Sequence, residues 1–329
     1  MTETLTAPAP AAAVPGPPPG GGHGKPRGRV RGGVRGRWPW WRVAIVAVMT
    51  LGAAVGTYPV AGEWFTDLAQ AGQIASFGKQ LAERTPAETA AMLQAAHRYN
   101  EELPNGPLRD PYAVDADGSP IPVGAGKDAY EAALNPAGDG IMGVLRIPKI
   151  GVKLPIRHDT NDTVLDAGVG HLYGSALPVG GPSTHSVLTA HSGMVGARLF
   201  TDLDQLDTGD TFSVLVGDQT LTYRVDQITT VLPTELDELR QIPGGDYVTL
   251  VTCTPTGINS HRLLVRGVRI PTPSEDAEDA SGLARQPGPG FPWWVFPVPA
   301  AALLLTAATR TGAGPPLVPK WLGVGVVFL

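Results

Sequence analysis

The chain has 329 residues, of which 43% are apolar, and this excludes a wholly disordered protein. Glycine and proline together make up 75 residues, roughly twice their usual share, which excludes a coiled coil and a plain helical bundle. Cys253 is the single cysteine, so an intramolecular disulfide framework and any CxxC-based zinc or redox site are excluded. The thiol is therefore either a packing residue or a nucleophile.

The N-terminal residues 1–42 are rich in Pro, Gly, Ala and Arg and are predicted to form a disordered basic tail. Seven of the 25 basic residues lie between Lys25 and Arg42, and no acidic residue occurs between Glu3 and Glu63. Residues 61–290, in contrast, hold 16 basic and 29 acidic residues. A basic run is typical of nucleic-acid binding as well as of membrane topology. The apolar segment that follows favours the membrane, and no nucleic-acid partner is expected.

That segment, residues 43–62, contains 20 residues without a charge. As a helix it is about 30 Å long, which matches one hydrocarbon core. The positive-inside rule then places the N-terminus in the cytoplasm and the rest of the protein outside, anchored to the cell membrane. The alternative is a cleaved signal peptide, although the apolar run exceeds the roughly 7–15 residues of a signal-peptide core.

A second uncharged run begins at Phe291 and predicts a further transmembrane segment over residues 291–310. Three prolines interrupt its first half, so a regular helix is expected only from about Pro299 onward. The alternative is a hydrophobic tail that lies on the membrane. Residues 273–290 are acidic and Pro-rich and are predicted to be a linker, and residues 311–329 a short C-terminal tail.

Residues 63–139 are predicted to hold extracytoplasmic helices and a loop. The apolar spacing predicts helix from Glu63 to Asn100, with Thr85 and Pro86 as a restart signal, and a short helix near residues 128–134. Residues 140–272 read as β structure, with Gly217–Asp218 as a hairpin turn. Six to eight short strands in about 130 residues predict a closed barrel or a sandwich. Strands are predicted within residues 143–147, 186–190, 211–216, 221–225, 247–252 and 263–268.

Three polar residues lie at the ends of predicted strands. Cys253 follows an apolar strand and enters a Pro/Gly loop, His191 ends another apolar strand, and Arg262 opens the strand after the Cys253 loop. They offer a nucleophile, a general acid/base and an electrophilic clamp. Each also has an ordinary alternative: a buried packing thiol, a structural histidine and a solvated strand arginine. Spacing alone leaves both interpretations open.

The sequence segments around these three residues distinguish the two interpretations better than the spacing does. The segment LVTCTPTGINSHRLLVRG, residues 250–267, closely resembles the active-site strand and loop of sortases, and class C, the pilin-polymerising class, most of all. The segments GHLYGSALPVGGPSTH at 170–185, LTAHSG around His191 and LFTDLD at 199–204 agree with it. The resemblance runs from about residue 65 to residue 272.

This resemblance implies a mainly β fold: the closed eight-stranded sortase β-barrel over residues 140–272, with an N-terminal helical lead-in and flanking transmembrane helices. It also implies that Cys253 is the acyl-forming nucleophile, His191 the acid/base and Arg262 the stabiliser of the transition state. No cofactor or metal is implied, because covalent catalysis supplies the chemistry.

The loop before the barrel contains Asp110-Pro111-Tyr112, which resembles the Asp-Pro-aromatic lid of class C sortases. In that interpretation Asp110 pairs with Arg262 and Tyr112 covers Cys253. The alternative is an ordinary Asp-Pro turn.

The activity implied is cleavage of a Leu-Pro-x-Thr-Gly-like sorting signal through a thioacyl-enzyme, followed by transfer to a pilin lysine. The expected partners are pilins or surface proteins with C-terminal sorting signals. Two alternatives remain: a housekeeping sortase that attaches proteins to peptidoglycan, and a non-catalytic membrane-tethered β-domain with Cys253 as packing.

Overall fold

The structure is a computed structural model that describes residues 40–103, 126–274, 277, 280–285 and 288–293. The chain divides into two units, Met1–Ile45 and Val46–Leu329, and the described part of the first unit is the beginning of the first helix. Nearly all of the predicted basic tail, the predicted lid and residues 294–329 lie outside the described residues.

Two long helices and one short helix precede the sheet in the described residues, and the other short helices interrupt or follow it. Thr85 caps the second helix: its Oγ1 accepts from the Glu88 amide at 3.2 Å, and the Glu88 carboxylate accepts from the Thr85 amide at 2.8 Å. The predicted restart is thus confirmed. The helices in the described residues are α1 (Trp40–Ala82), α2 (Pro86–Glu102), α3 (Lys127–Ala132), α4 (Asp162–Ala167) and α5 (Ala280–Ala284), with 3-10 turns at Pro148–Ile150, Leu203–Gln205 and Asp237–Leu239.

Helix α1 includes the segment predicted as the first membrane span. Apolar side chains such as Val48, Leu51 and Val55 are exposed there. Within the described residues, no helix combines the length and the apolarity needed to cross a membrane. The spans at 43–62 and 291–310 therefore remain predictions.

Eight strands among the described residues close into a barrel in the order β1-β2-β3-β4-β7-β8-β6-β5, with β5 returning to β1. The pairs β2/β3 and β4/β7 are parallel and the others are antiparallel. The predicted closed, mainly β barrel is confirmed. The strands are β1 (Ile141–Ile147), β2 (Val152–His158), β3 (Val169–His171), β4 (Thr184–Thr189), β5 (Thr211–Val216), β6 (Gln219–Val231), β7 (Asp246–Thr254) and β8 (His261–Ile270).

The barrel encloses the main apolar core, and a second apolar cluster lies between α1, α5 and the β1/β5 wall. Leu283 of α5 is fully buried in this second cluster. A Cβ on Gly78 would lie 2.5 Å from the Leu283 Cβ, so only glycine lets α5 approach α1 this closely. Part of the segment predicted as a linker, residues 273–290, is thus packed onto the first long helix.

A buried polar group fixes the helical lead-in to the barrel. The Tyr130 hydroxyl lies 2.9 Å from His171 Nδ1 and 2.9 Å from the His171 carbonyl oxygen. His171 Nε2 lies 2.9 Å from the Ala176 carbonyl oxygen, and since a carbonyl only accepts, this nitrogen carries the proton. Burial is the main reason that the pKa of His171 is lowered from 6.5 to about 4. The hydrogen bond to the Ala176 carbonyl raises this pKa and nearby His158 lowers it, both by less than burial does.

Acid should therefore weaken the fold through His171. In the unfolded chain His171 binds a proton below about pH 6.5, whereas in the fold it stays neutral down to about pH 4, so stability is lost as pH falls through this window. Between pH 7 and pH 5 the loss amounts to about 2 kcal/mol. Urea unfolding at the two pH values should show a smaller difference for His171→Gln than for wild type. The control His97→Gln replaces a half-buried histidine of α2 and should keep the wild-type difference in stability between the two pH values. If His171→Gln lost as much stability as wild type between pH 7 and pH 5, the prediction would be contradicted.

Candidate active site

The register of β7 and β8 brings two of the predicted residues together. Cys253, the penultimate residue of β7, pairs directly with Arg262, the second residue of β8. Directly opposite residues on an antiparallel pair point to the same face of the sheet, with Cβ atoms about 5 Å apart. Cys253 is 9% exposed and Arg262 is 6% exposed, so both are largely shielded from water.

The loop between the strands orients the guanidinium. Arg262 Nη1 donates to the carbonyl oxygens of Asn259 at 3.1 Å and His261 at 3.2 Å. The turn is closed by the amides of Ile258 and Asn259, which both donate to the Pro255 carbonyl. Arg262 is thus held by backbone acceptors from its own loop, next to the thiol across the ladder.

The third predicted residue comes from β4, which runs parallel to β7. Thr189 is in register with Val251, and the Ala190 amide donates to the Val251 carbonyl at 3.3 Å. Thr252 Oγ1 in turn donates to the Ala190 carbonyl at 2.8 Å. The β4/β7 ladder ends at the Thr189–Val251 pair, and His191 follows it by two residues along the chain after β4, as Cys253 does along β7. The ends of three adjacent strands, β4, β7 and β8, therefore carry the three predicted residues.

The segment after His191, residues 191–200, is held from several sides. The Phe200 amide donates to the His191 carbonyl at 3.0 Å, which closes the segment into a loop. From helix α1, Thr66 Oγ1 donates to the Gly196 carbonyl at 2.8 Å. A Cβ on Gly62 would lie only 3.1 Å from the Gly196 Cα, so the two backbones are in close contact. The loop that carries His191 is thus braced by α1.

Sequence reasoning missed two contacts in this site. Asp166 of α4 lies 3.8 Å from His191 Nε2, with the His191 side chain 27% exposed and Asp166 62% exposed. Ser192 Oγ lies 3.0 Å from Thr256 Oγ1, which links the His191 loop to the Cys253 loop. Neither contact has a local signature in the sequence, because both join residues that are distant along the chain: Asp166 with His191, and Ser192 with Thr256.

The sequence also predicts a lid over this site and implies no metal. The predicted lid residues Asp110, Pro111 and Tyr112 lie outside the described residues. In the part of the chain that is described, no three His, Cys, Asp or Glu side chains converge as metal ligands do.

The arrangement suits nucleophilic acyl transfer. A guanidinium beside a thiol favours the thiolate and offers donors to a developing oxyanion. An imidazole that follows the end of the neighbouring strand can move a proton to or from a reacting amine. Burial strengthens both electrostatic interactions, because the field of the guanidinium is screened less than in water.

Comparisons with known proteins point in the same direction. The Sortase domain family matches residues 145–270. The solved structure of sortase C-1 from Actinomyces oris is 48% identical, with 57% of this chain and 100% of that chain covered at a TM-score of 0.54. Sortase C-1 from Streptococcus pneumoniae is 42% identical, with 61% and 98% covered at a TM-score of 0.55.

Curated relatives are more distant and mostly matched in part. Sortase SrtE2 of Streptomyces coelicolor is 27% identical over 75% of this chain and 91% of its own length. Sortase A of Streptococcus agalactiae is 27% identical, and the match covers 35% of this chain and 47% of the relative. The chain thus spans about half the length of that relative. The closed barrel agrees with the likeness to solved sortases, which covers nearly the whole of those chains and about 60% of this one. The chain therefore belongs to the sortase family, whose members are cysteine transpeptidases.

Proposed function

We propose that this chain is a membrane-anchored class C sortase that polymerises pilins, with Cys253 as nucleophile, His191 as acid/base and Arg262 as the oxyanion-stabilising residue. The observation that carries the proposal is the direct pairing of Cys253 with Arg262 across the β7/β8 ladder. His191 follows the end of β4, the strand that pairs with β7 on its other side. The likeness to sortase C-1 structures, at 42–48% identity, supports the class. The anchor would be residues 43–62, with the barrel outside the cell.

In the first half of the proposed reaction, the Cys253 thiolate attacks the carbonyl carbon of the Thr–Gly bond in a Leu-Pro-x-Thr-Gly-like signal. The negative charge moves to the carbonyl oxygen, where Arg262 donates hydrogen bonds to it. The C–N bond then breaks, and His191 gives its proton to the leaving glycine amine. The product is a thioester between Cys253 and the threonine carbonyl.

In the second half, a pilin lysine amine attacks the thioester carbon. His191 accepts the proton that this amine loses, the C–S bond breaks, and Cys253 leaves as the thiolate. An isopeptide bond now joins two pilin subunits. The lysine amine takes the position that the leaving glycine amine had in the first half, and His191 now accepts a proton instead of donating one. The same three residues therefore serve both steps.

The test is a polymerisation assay with the full chain in lipid vesicles, a pilin that bears a Leu-Pro-x-Thr-Gly signal and, as a competing acceptor, peptidoglycan fragments with a free amine. We expect covalent ladders on denaturing gels and lysine isopeptides by mass spectrometry. Cys253→Ala should fold and yield neither. Ladders that persist in Cys253→Ala would refute every cysteine-transpeptidase mechanism for this chain, and products linked to peptidoglycan instead of pilin would favour the housekeeping alternative.

The proposed class also includes a resting lid formed by residues 110–112. In this proposal the Asp110 carboxylate pairs with the Arg262 guanidinium and the Tyr112 ring covers the Cys253 thiol. The lid then limits access of substrate and reagents to the nucleophile.

The lid predicts a change in thiol reactivity that is easy to read, because Cys253 is the only cysteine. Asp110→Ala and Tyr112→Ala should each raise the rate of iodoacetamide alkylation several-fold. Asp128→Ala, outside the predicted lid, serves as the control. Equal alkylation rates in wild type and both lid variants would refute the lid.

A further inference from the structure

The N-terminal part of α1 is mostly exposed, but the side chains along one of its faces are half-buried. From residue 47 to residue 59, the half-buried side chains are Ala53 and Thr57, and all the others are exposed. Residues 60–64 are all half-buried, and of these Val60 and Trp64 lie at the spacing that continues from Thr57. The spacing of 4, 3 and 4 residues places these four positions on a single face of the helix. We refer to Ala53, Thr57, Val60 and Trp64 as the small-residue face of α1, after the small side chains of Ala53 and Thr57.

The last described residues of the chain run along this same face. A Cβ on Gly288 would lie 3.1 Å from Leu68 Cδ1. Trp64 Nε1 donates to the Gly290 carbonyl at 2.9 Å, and the Trp64 and Phe291 rings meet edge to face with centroids 5.7 Å apart. As the tail advances from residue 288 to 291, its contacts on α1 move back from Leu68 to Trp64. The tail is therefore antiparallel to α1 and heads toward Val60 and Thr57.

The chain that follows is apolar. Residues 298–309, VPAAALLLTAAT, contain no charge and include five alanines. Apolar helices in lipid pack best where small residues let the backbones approach, and Ala53 and Thr57 provide this on α1. A segment tethered beside the face also has a millimolar effective concentration there, which favours it over a second copy of the chain.

We propose that residues 294–310 pack antiparallel on the small-residue face of α1, so that the two predicted membrane segments form one intramolecular helical pair. This goes beyond the proposed pilin chemistry; it rests on the proposed membrane anchor but not on pilin polymerisation. The contact among Trp64, Gly290 and Phe291 forms the end of the pair that is nearest the barrel domain in sequence.

Disulfide mapping tests the pair directly, because replacing Cys253 leaves a cysteine-free full-length chain. In a Cys253→Ala background, Thr57→Cys is combined with single cysteines from Ala300 to Ala308, and each protein is oxidised with copper-phenanthroline in lipid vesicles. We expect intrachain disulfides at positions three or four residues apart. With Ala53→Cys the crosslinked positions should move about four residues toward the C-terminus, as an antiparallel pair requires.

Val55→Cys is the matched control, because valine is nearly isosteric with threonine and Val55 lies about 200° around the helix from Thr57. It should form few or no intrachain disulfides. Three results would overturn the proposal: no crosslink to Thr57→Cys at any position, equal crosslinking to Val55→Cys, or disulfide dimers of Thr57→Cys alone, which would assign the face to a second copy. Pilin polymerisation is not the readout, so this failure is distinct from failure of the proposed activity.

Discussion

Arg262→Gln should lower kcat/KM for a Leu-Pro-x-Thr-Gly peptide by about 100- to 1000-fold, the usual loss when one oxyanion donor is removed. Glutamine keeps much of the side-chain length but removes the positive charge that faces Cys253 across the β7/β8 ladder. The loss should fall on kcat with KM nearly unchanged, because the oxyanion exists only in the transition state.

The same strand provides a control for this experiment. Arg266 lies four residues further along β8, pairs with Asp226 at 2.7 Å and covers the Tyr247 ring. Arg266→Gln removes a partly buried ion pair but leaves the strand end untouched, so its kcat per folded molecule should match wild type. Thermal melts of both variants separate chemistry from folding. A loss in Arg262→Gln confined to KM would contradict a transition-state role.

Leu283→Ala should lower the free energy of unfolding by about 3 kcal/mol, although Leu283 lies outside the barrel and in a segment of linker-like composition. The side chain is fully buried among Ile74, Phe77 and Leu81 of α1 and residues of β1 and β5. Its removal leaves a cavity at the point where α5 joins α1 to the barrel wall.

Urea unfolding followed by circular dichroism measures this loss. Leu232→Ala removes the same group from a side chain that is 44% exposed and should cost less than about 1 kcal/mol. Equal losses for the two variants would mean that α5 is not a stable part of the fold. A large loss for Leu283→Ala alone would show that α5, beyond residue 272, contributes to the stability of the folded unit.

Much of the barrel is predictable because its strands carry strong local signals. The apolar run before Cys253 and the Gly217–Asp218 turn give β7 and the β5/β6 hairpin directly. The strand β2 was not predicted because Pro155 lies in its middle, and proline normally excludes a central strand. In the structure Pro155 pairs with Val144 of β1 on one side, and on the other side the ladder with β3 begins only at Ile156. The three-residue strand β3 is too short to show any periodicity.

The candidate site divides in the same way. The positions of Cys253, His191 and Arg262 at strand ends are local properties, so the sequence predicts them. Their convergence depends on the parallel β4/β7 pairing and the antiparallel β7/β8 register, which composition and periodicity do not encode. The brace from Thr66 to Gly196 joins residues 130 positions apart and leaves no sequence signal at all. Likewise, the burial of Leu283 could not be read from a short segment rich in small and acidic residues.

The brace between α1 and the His191 loop has a geometric consequence for substrate choice. Gly62, the last residue of the proposed anchor, contacts Gly196, only five residues after His191. If residues 43–62 lie in the bilayer, the scissile bond must be presented within a few residues' reach of the lipid surface. A freely diffusing protein whose signal sits far from the bilayer would then be a poor substrate, whereas one that is itself held at the membrane arrives at the correct height. In the proposed topology, the height of the sorting signal above the lipid surface would therefore select substrates in addition to the sequence of the signal.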